Sequence, residues 1–156
     1  MPLRIRPYDS ADFDALCQMD AACYAPGVAY TRRTMRAFLR LPGAECLVAE
    51  NSSVILGFVI TVLDGHDGHI ITLDVSPNAR RRGIGTALIE AAHASLASRG
   101  VREVSLETST ANEAGVAFWR RHGYQSRAIL SNFYETGEDA YSMTRALSKA
   151  ASASLA

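Results

Sequence analysis

Arg80, Arg81 and Arg82 lead directly into Gly83, Ile84, Gly85 and Thr86, and this run has the chemistry to hold an anion. Glycines let backbone N–H groups approach a ligand closely, a helix start adds roughly half a positive charge, and the arginines supply full ones. The ligand such chemistry suits is a phosphate. The spacing narrows the choice. A dinucleotide fingerprint requires a third glycine at position 88, which is Leu, and no Walker string occurs anywhere in the chain. What fits is R-x-x-G-x-G. Glu107, near the end of an alternating segment, is a second candidate: a carboxylate able to accept a proton, or an ordinary solvated strand-end side chain. The string Asp64-Gly65-His66-Asp67-Gly68-His69 has metal-binding residue types, but its glycines at turn positions describe a hairpin loop better. No metal site is expected.

These groups need a strand, a turn and a helix to place them. Residues 70–75 are β-branched and apolar, and Pro77 with Asn78 stops them with turn chemistry. Ile84, Ala87, Leu88, Ala91, Ala92 and Leu96 then fall on one face of a 3.6-residue period, closed by Arg99-Gly100. Residues 101–108 alternate as a strand, parallel to residues 70–75 because a helix joins them. Asn112 caps the next helix, which carries Trp119 and ends at His122-Gly123. Ahead of this unit, residues 3–6 form a first strand, and Asp9 or Ser10 starts a helix that breaks at Ala25-Pro26-Gly27. Thr31 caps a second short helix. The loop between these helices, residues 24–31, carries Tyr24 and Tyr30. Strands at 45–50 and 54–63 and a turn over 64–68 follow, then the strand at 70–75. Further strands occupy 124–129 and 140–144, separated by residues 132–139 with Tyr134. His93 and His122 read as polar-face residues of their helices.

The length of 156 residues and 48% hydrophobic content suit one domain over residues 1–147, with a frayed Ala/Ser-rich tail over 148–156. A formal net charge of zero makes the three arginines a local feature rather than part of a nucleic-acid-binding surface. Cys17, Cys23 and Cys46 are odd in number and lack zinc spacing, which suits reduced thiols in a cytoplasmic protein. No apolar run approaches the ~18 residues of a membrane span, so no membrane partner is expected.

The stretch Leu-Asp-Val-Ser-Pro-Asn-Ala-Arg-Arg-Arg-Gly-Ile-Gly-Thr-Ala-Leu resembles the acetyl-CoA pyrophosphate loop of the GNAT acetyltransferase superfamily. Residues 106–124, with Glu107, Asn112, Trp119 and Gly123-Tyr124, and residues 132–143, ending Gly-Glu-Asp-Ala-Tyr-x-Met, are similar to the RimI-type N-terminal acetyltransferases. The resemblance spans residues 3–147. It implies an α/β (α+β) GNAT fold: a mixed, mostly antiparallel sheet flanked by helices on both faces, in the order β-α-α-β-β-β-α-β-α-β-β.

It also implies acetyl-CoA as cosubstrate with no metal, the pyrophosphate on the N–H groups of residues 81–86, and pantetheine along the backbone of Leu73, Asp74 and Val75. That last contact requires the 70–75 strand to splay from the 101–108 strand. Asp74 itself reads either as an added substrate-facing carboxylate or as a solvated side chain. Glu107 takes the place of the family's base, and Asn112 adds a cofactor contact to its capping. Tyr24, Tyr30 and Tyr134 either pack against the core edge or line the acceptor groove. The departure is Trp119, which stands where the RimI-type pattern has a tyrosine taken to protonate the departing thiolate. Trp cannot act as that acid. Trp119 then packs against pantetheine in a working enzyme, or the chain only binds. The acceptor implied is a peptide or protein N-terminus; a small amine (polyamine, amino acid, amino sugar) and a non-catalytic acetyl-CoA-binding module are the alternatives. The expected assembly is a monomer or homodimer.

Overall fold

The computed structural model describes residues 2–147, so the tail expected over 148–156 lies outside the described residues. Seven strands form a single sheet: β1 (Arg4–Pro7), β2 (Ala44–Asn51), β3 (Val54–Asp64), β4 (Asp67–Val75), β5 (Glu103–Ser109), β6 (Gln125–Leu130) and β7 (Ala140–Ala146). Their spatial order is β1-β2-β3-β4-β5-β7-β6. Every neighbouring pair is antiparallel except β4–β5, which the crossover helix makes parallel. Among the described residues four helices complete the fold: α1 (Phe13–Cys23), α2 (Arg32–Leu39), α3 (Ile84–Ser98) and α4 (Glu113–Arg121). This is the element order expected, with short 3-10 turns added at Ser10–Asp12 and Pro77–Ala79.

Each face of the sheet has its own core. Phe13, Leu16 and Cys17 of α1 and Met35 of α2 pack on Cys46, Val48, Phe58 and Ile60. On the other face, Ile84, Leu88, Ile89, Ala92 and Leu96 of α3 and Trp119 of α4 pack on Ala49, Val59, Ile70, Val104, Leu106 and Met143. The α3 stripe is rotated from the expected one. Ile89 and His93 are buried where Ala87 and Ala91 were expected: a larger apolar side chain such as Ile89 gains more from leaving water, and both ring nitrogens of His93 find partners inside. His93 is therefore not a polar-face residue. Its two ring nitrogens meet the Tyr124 hydroxyl at 2.7 Å and the Arg145 guanidinium at 3.1 Å. Burial, then the nearby Arg145 charge, lowers its pKa to about 4, so it is neutral at pH 7 and accepts from Arg145.

Capping matches the reading at three helix starts. Asp9 accepts from Ala11 N–H, Thr31 from Thr34 N–H and Asn112 from Gly115 N–H. The hairpin between β3 and β4 is tighter than the expected turn over 64–68. Only Gly65 and His66 turn, with Gly65 at φ +63°, and β4 begins at Asp67. Glycine takes that left-handed conformation without a Cβ penalty, so two residues suffice. Among the described residues, no helix is long and apolar enough to cross a membrane.

Candidate active site

The centre of the site is a gap in the sheet. β4 and β5 pair only at Asp67↔Glu103, Gly68↔Val104 and His69↔Ser105. Beyond His69 the strands part, so the expected splay is present. Its local cause is a bulge: Ile60 faces Thr72 and Thr61 faces Ile70, leaving Ile71 as the extra residue on β4. A bulge bends its strand and increases the twist, here two residues past the last β4–β5 pair.

The edge so opened is partly occupied by side chains from α1 and the loop that follows it. Tyr30 Oη donates to Ile71 O at 3.4 Å, Tyr24 Oη to Leu73 O at 3.3 Å and Cys23 Sγ to Val75 O at 3.3 Å. Arg80 Nε also reaches Val75 O, at 3.4 Å. Strand geometry turns the N–H of a residue to the same side as its carbonyl, so Leu73 and Val75 present amides to the gap while Asp74 turns towards β3. The Asp74 side chain corrects both alternatives raised for it. It is 1% exposed, accepts from Thr72 Oγ1 at 2.6 Å, and faces neither substrate nor solvent.

At the apex of the gap lies a string of polar side chains. Ser105 Oγ is 2.8 Å from His69 Nδ1, and His69 Nε2 is 3.1 Å from Glu107 Oε1. The arrangement is satisfied when Ser105 donates to Nδ1 and Nε2–H donates to the carboxylate. Glu107 keeps its second oxygen for other partners, and its side chain is 27% exposed. His69 was missed because Gly65 and Gly68 made it read as hairpin loop. The signal available was the i, i+2 spacing of Ser105 and Glu107 on one face of β5, opposite a histidine on a parallel neighbour. Among the described residues, no group of three or more His, Cys, Asp or Glu could hold a metal ion.

Two phenols flank Glu107. Burial raises Tyr30 to about 12, with Asp20, Glu107 and Asp74 adding to it. Burial likewise raises Tyr134 to about 12, helped by Tyr30, Glu107 and Glu138. Both are therefore neutral donors at pH 7. The β6–β7 loop delivers Tyr134 by folding back over the end of β5. Tyr134 N–H donates to Glu138 O at 3.1 Å, the Ser109 hydroxyl donates to the Glu138 carboxylate, and Asn132 N–H donates to Asp139 Oδ1 at 3.0 Å.

The anion cradle follows β4. Arg81 and Gly83 are both left-handed, at φ +66° and +78°, and a Cβ on Gly83 would meet nothing within 4 Å. The first α3 bond runs from Ala87 N–H to Gly83 O, and the first turn has neither an acidic residue nor a side-chain cap. The N–H groups of Ile84, Gly85 and Thr86 therefore lack helical partners. Arg80, Arg81, Arg82 and Gly83 are exposed, while the Ile84 side chain is core. These free N–H groups, with exposed arginines beside them, fit a pyrophosphate. Gly85 has a packing role besides its place in the cradle. A Cβ there would lie 3.1 Å from the Phe118 ring, so its absence lets α4 pack on α3. Thr86 meets His122 Nε2 at 3.2 Å across the same contact. Trp119 is 8% exposed, edge-on to Phe118 and Tyr124.

A gap between two parallel strands, leading to a cradle at the next helix start, occurs here together with a match of residues 13–124 to the profile of the acetyltransferase (GNAT) family. The chain belongs to the GNAT acetyltransferase family. Among GNAT relatives, it is 31% identical over 144 residues to an uncharacterised N-acetyltransferase of Methanocaldococcus jannaschii, covering 90% of each chain. It is 29% identical over 142 residues to N-alpha-acetyltransferase 30 of Schizosaccharomyces pombe, covering 88% of this chain and 93% of that one. The GNAT fold is shared with the ribosomal-protein-S18-alanine N-acetyltransferase of Escherichia coli, at a TM-score of 0.85 and 23% identity over 94% of this chain and 95% of that one.

Proposed function

We propose that this acetyltransferase moves the acetyl group of acetyl-CoA to the N-terminal α-amine of a peptide or protein. The observation that carries the reading is Glu107, anchored by His69 at the apex of the gap and flanked by Tyr30 and Tyr134. The relationship to N-alpha-acetyltransferase 30 supports the choice of acceptor.

Acetyl-CoA supplies an activated thioester. The chain's contribution is to hold it and to handle protons. The N–H groups at the start of α3, with Arg80, Arg81 and Arg82, bind its pyrophosphate. The edge amides of Leu73 and Val75 lie where an extended pantetheine chain would pair as an extra strand does. Glu107 takes the proton from the incoming ammonium, leaving the amine lone pair free to attack, and His69 Nε2–H holds the carboxylate in place. A CoA thiol has a pKa near that of a free cysteine, ~8.5, so it leaves tolerably as thiolate without an acid at position 119.

The test is free-thiol release from acetyl-CoA, with a panel of N-terminal peptides and a matching panel of polyamines, amino acids and amino sugars. Turnover is expected with peptides at least tenfold above the small amines in kcat/KM, about 1.4 kcal/mol of discrimination. Preference for a small amine, or binding without turnover, would replace the reading.

A further inference from the structure

We propose that Asp20 and Asp74 share one proton across the contact between α1 and β4, and that this proton holds residues 24–31, one wall of the acceptor groove, against the open edge of β4. The assignment of that wall rests on the peptide-acetylation reading above; the proton-sharing pair does not.

Both carboxyls are out of water, Asp20 at 0% and Asp74 at 1% exposure. Each has one satisfied oxygen. Asp20 Oδ2 accepts Tyr30 N–H at 2.7 Å, and Asp74 Oδ1 accepts from Thr72 at 2.6 Å. The remaining oxygens, Asp20 Oδ1 and Asp74 Oδ2, are buried and have no hydrogen-bond partner, and the two carboxyls lie against each other where α1 packs on β4. Two acceptors cannot satisfy each other, and two buried negative charges in contact are prohibitively costly. A single proton resolves both problems: Asp74 Oδ2–H donates to Asp20 Oδ1. Burial and the adjacent Asp20 push Asp74 well above the usual carboxylate range, which places the proton there.

One other hydroxyl reaches Asp74, that of Tyr24, but its single hydrogen goes to Leu73 O at 3.3 Å. The pair faces Cys17, Cys23 and Tyr24 of α1 and its end, Tyr30 of the loop, and Cys46 of β2. Burial raises every one of these thiols and phenols, so all are neutral at pH 7. Further out, Glu107 reaches Tyr30 and Arg80 reaches Cys23. The pair thus continues a chain of contacts: Asp74 to Asp20, Asp20 to the Tyr30 amide, and the Tyr30 and Tyr24 hydroxyls to the Ile71 and Leu73 carbonyls. Loss of the proton sets like charges against each other beneath that loop.

Asp20 and Asp74 are positioning residues, and the test separates positioning from simple stability. Peptide KM, acetyl-CoA KM and kcat are measured from pH 6 to 9 for the wild-type chain, Asp74→Asn and Asp74→Ala, with hydrogen exchange of the Tyr30 amide normalised to its intrinsic rate. Asp74→Asn keeps a donor to Asp20 that cannot ionise. It should hold the peptide KM and Tyr30 protection at all pH values, while in the wild type the peptide KM rises and Tyr30 protection falls as pH rises. Asp74→Ala removes the donor and should raise the peptide KM about tenfold or more, with acetyl-CoA KM within about twofold. Equal Tyr30 protection in all three proteins, or the same pH-dependent loss in wild type and Asp74→Asn, overturns the proposal. If Asp74→Ala fails to fold, the wild-type and Asp74→Asn comparison alone decides it. Should no peptide be acetylated while Tyr30 protection follows the expected pattern, the acceptor reading falls and the shared proton stands.

Discussion

Replacing Glu107 by Gln tests the site at its centre. The substitution preserves volume and leaves Oε1 able to accept from His69 Nε2 at 3.1 Å, so the string from Ser105 through His69 remains closed. What it removes is basicity. General-base assistance contributes about 10² to 10⁴ in rate, so kcat at pH 7 should fall by that factor, roughly 2.7 to 5.4 kcal/mol of barrier. The side chain is 27% exposed, so water can reach the same position and carry off the proton once the amine ionises unaided. A peptide α-amine has a pKa near ~8. At pH 9.5 most of the acceptor is already neutral, and the deficit of Glu107→Gln should shrink by about tenfold. The assay is free-thiol release at pH 7 and pH 9.5, with acetyl-CoA affinity by calorimetry as the control. A kcat within threefold of wild type at pH 7 would refute proton abstraction by Glu107. A deficit of equal size at both pH values would show that the carboxylate does something other than accept this proton.

Three further outcomes follow from the same geometry. Gly83→Asp puts a side chain on a left-handed residue and a like charge at the helix start, and should weaken acetyl-CoA binding by about tenfold or more in calorimetry; unchanged affinity removes the cradle. Trp119→Phe loses part of a buried edge-on contact with Phe118 and Tyr124, and should lower kcat by about tenfold at most; damage equal to that of Glu107→Gln in a folded protein would give position 119 a chemical role. Asp74 has a raised folded pKa, so its protonated form contributes stability that is complete below its unfolded value near 4 and is lost as pH rises towards the folded value. The melting temperature of Asp74→Asn relative to wild type should therefore climb from about pH 4 upward, and a difference independent of pH would refute a buried proton on Asp74.

The turn-and-helix unit from β4 to α3 was legible because its signals are local. Pro77 and Asn78 end the strand, Gly83 permits the left-handed entry, and the apolar period sustains the helix. The exact stripe was not, since alanines at 87, 91 and 92 fit either side of a helix and only packing against the sheet selects Ile89 and His93. The gap was inferred from resemblance alone. Nothing in Ile-Ile-Thr-Leu-Asp-Val marks Ile71 as a bulge, because a bulge is a property of two strands. Asp74 and His69 failed for the same kind of reason. The burial of Asp74 depends on Asp20, which comes from a helix distant in sequence, and the role of His69 depends on Ser105 and Glu107 of a strand reached only after the crossover. Gly85 shows the converse: a motif position read for its N–H alone also has to be glycine for the Phe118 ring of another helix to pack.

The gap between β4 and β5 gives this protein an edge strand in the middle of its sheet. An edge of that length and hydrophobicity, left bare, would template pairing with any extended segment of another chain. The tyrosine hydroxyls and the cysteine thiol that occupy the Ile71, Leu73 and Val75 carbonyls deny an intruding strand its alternate acceptors. A slender ligand needing only one or two rungs is not so excluded, because the amides of Leu73 and Val75 still face the opening. The same three side chains that hold the end of α1 and the loop after it against β4 therefore act as a filter on what completes the sheet, favouring a slender thread over a polypeptide.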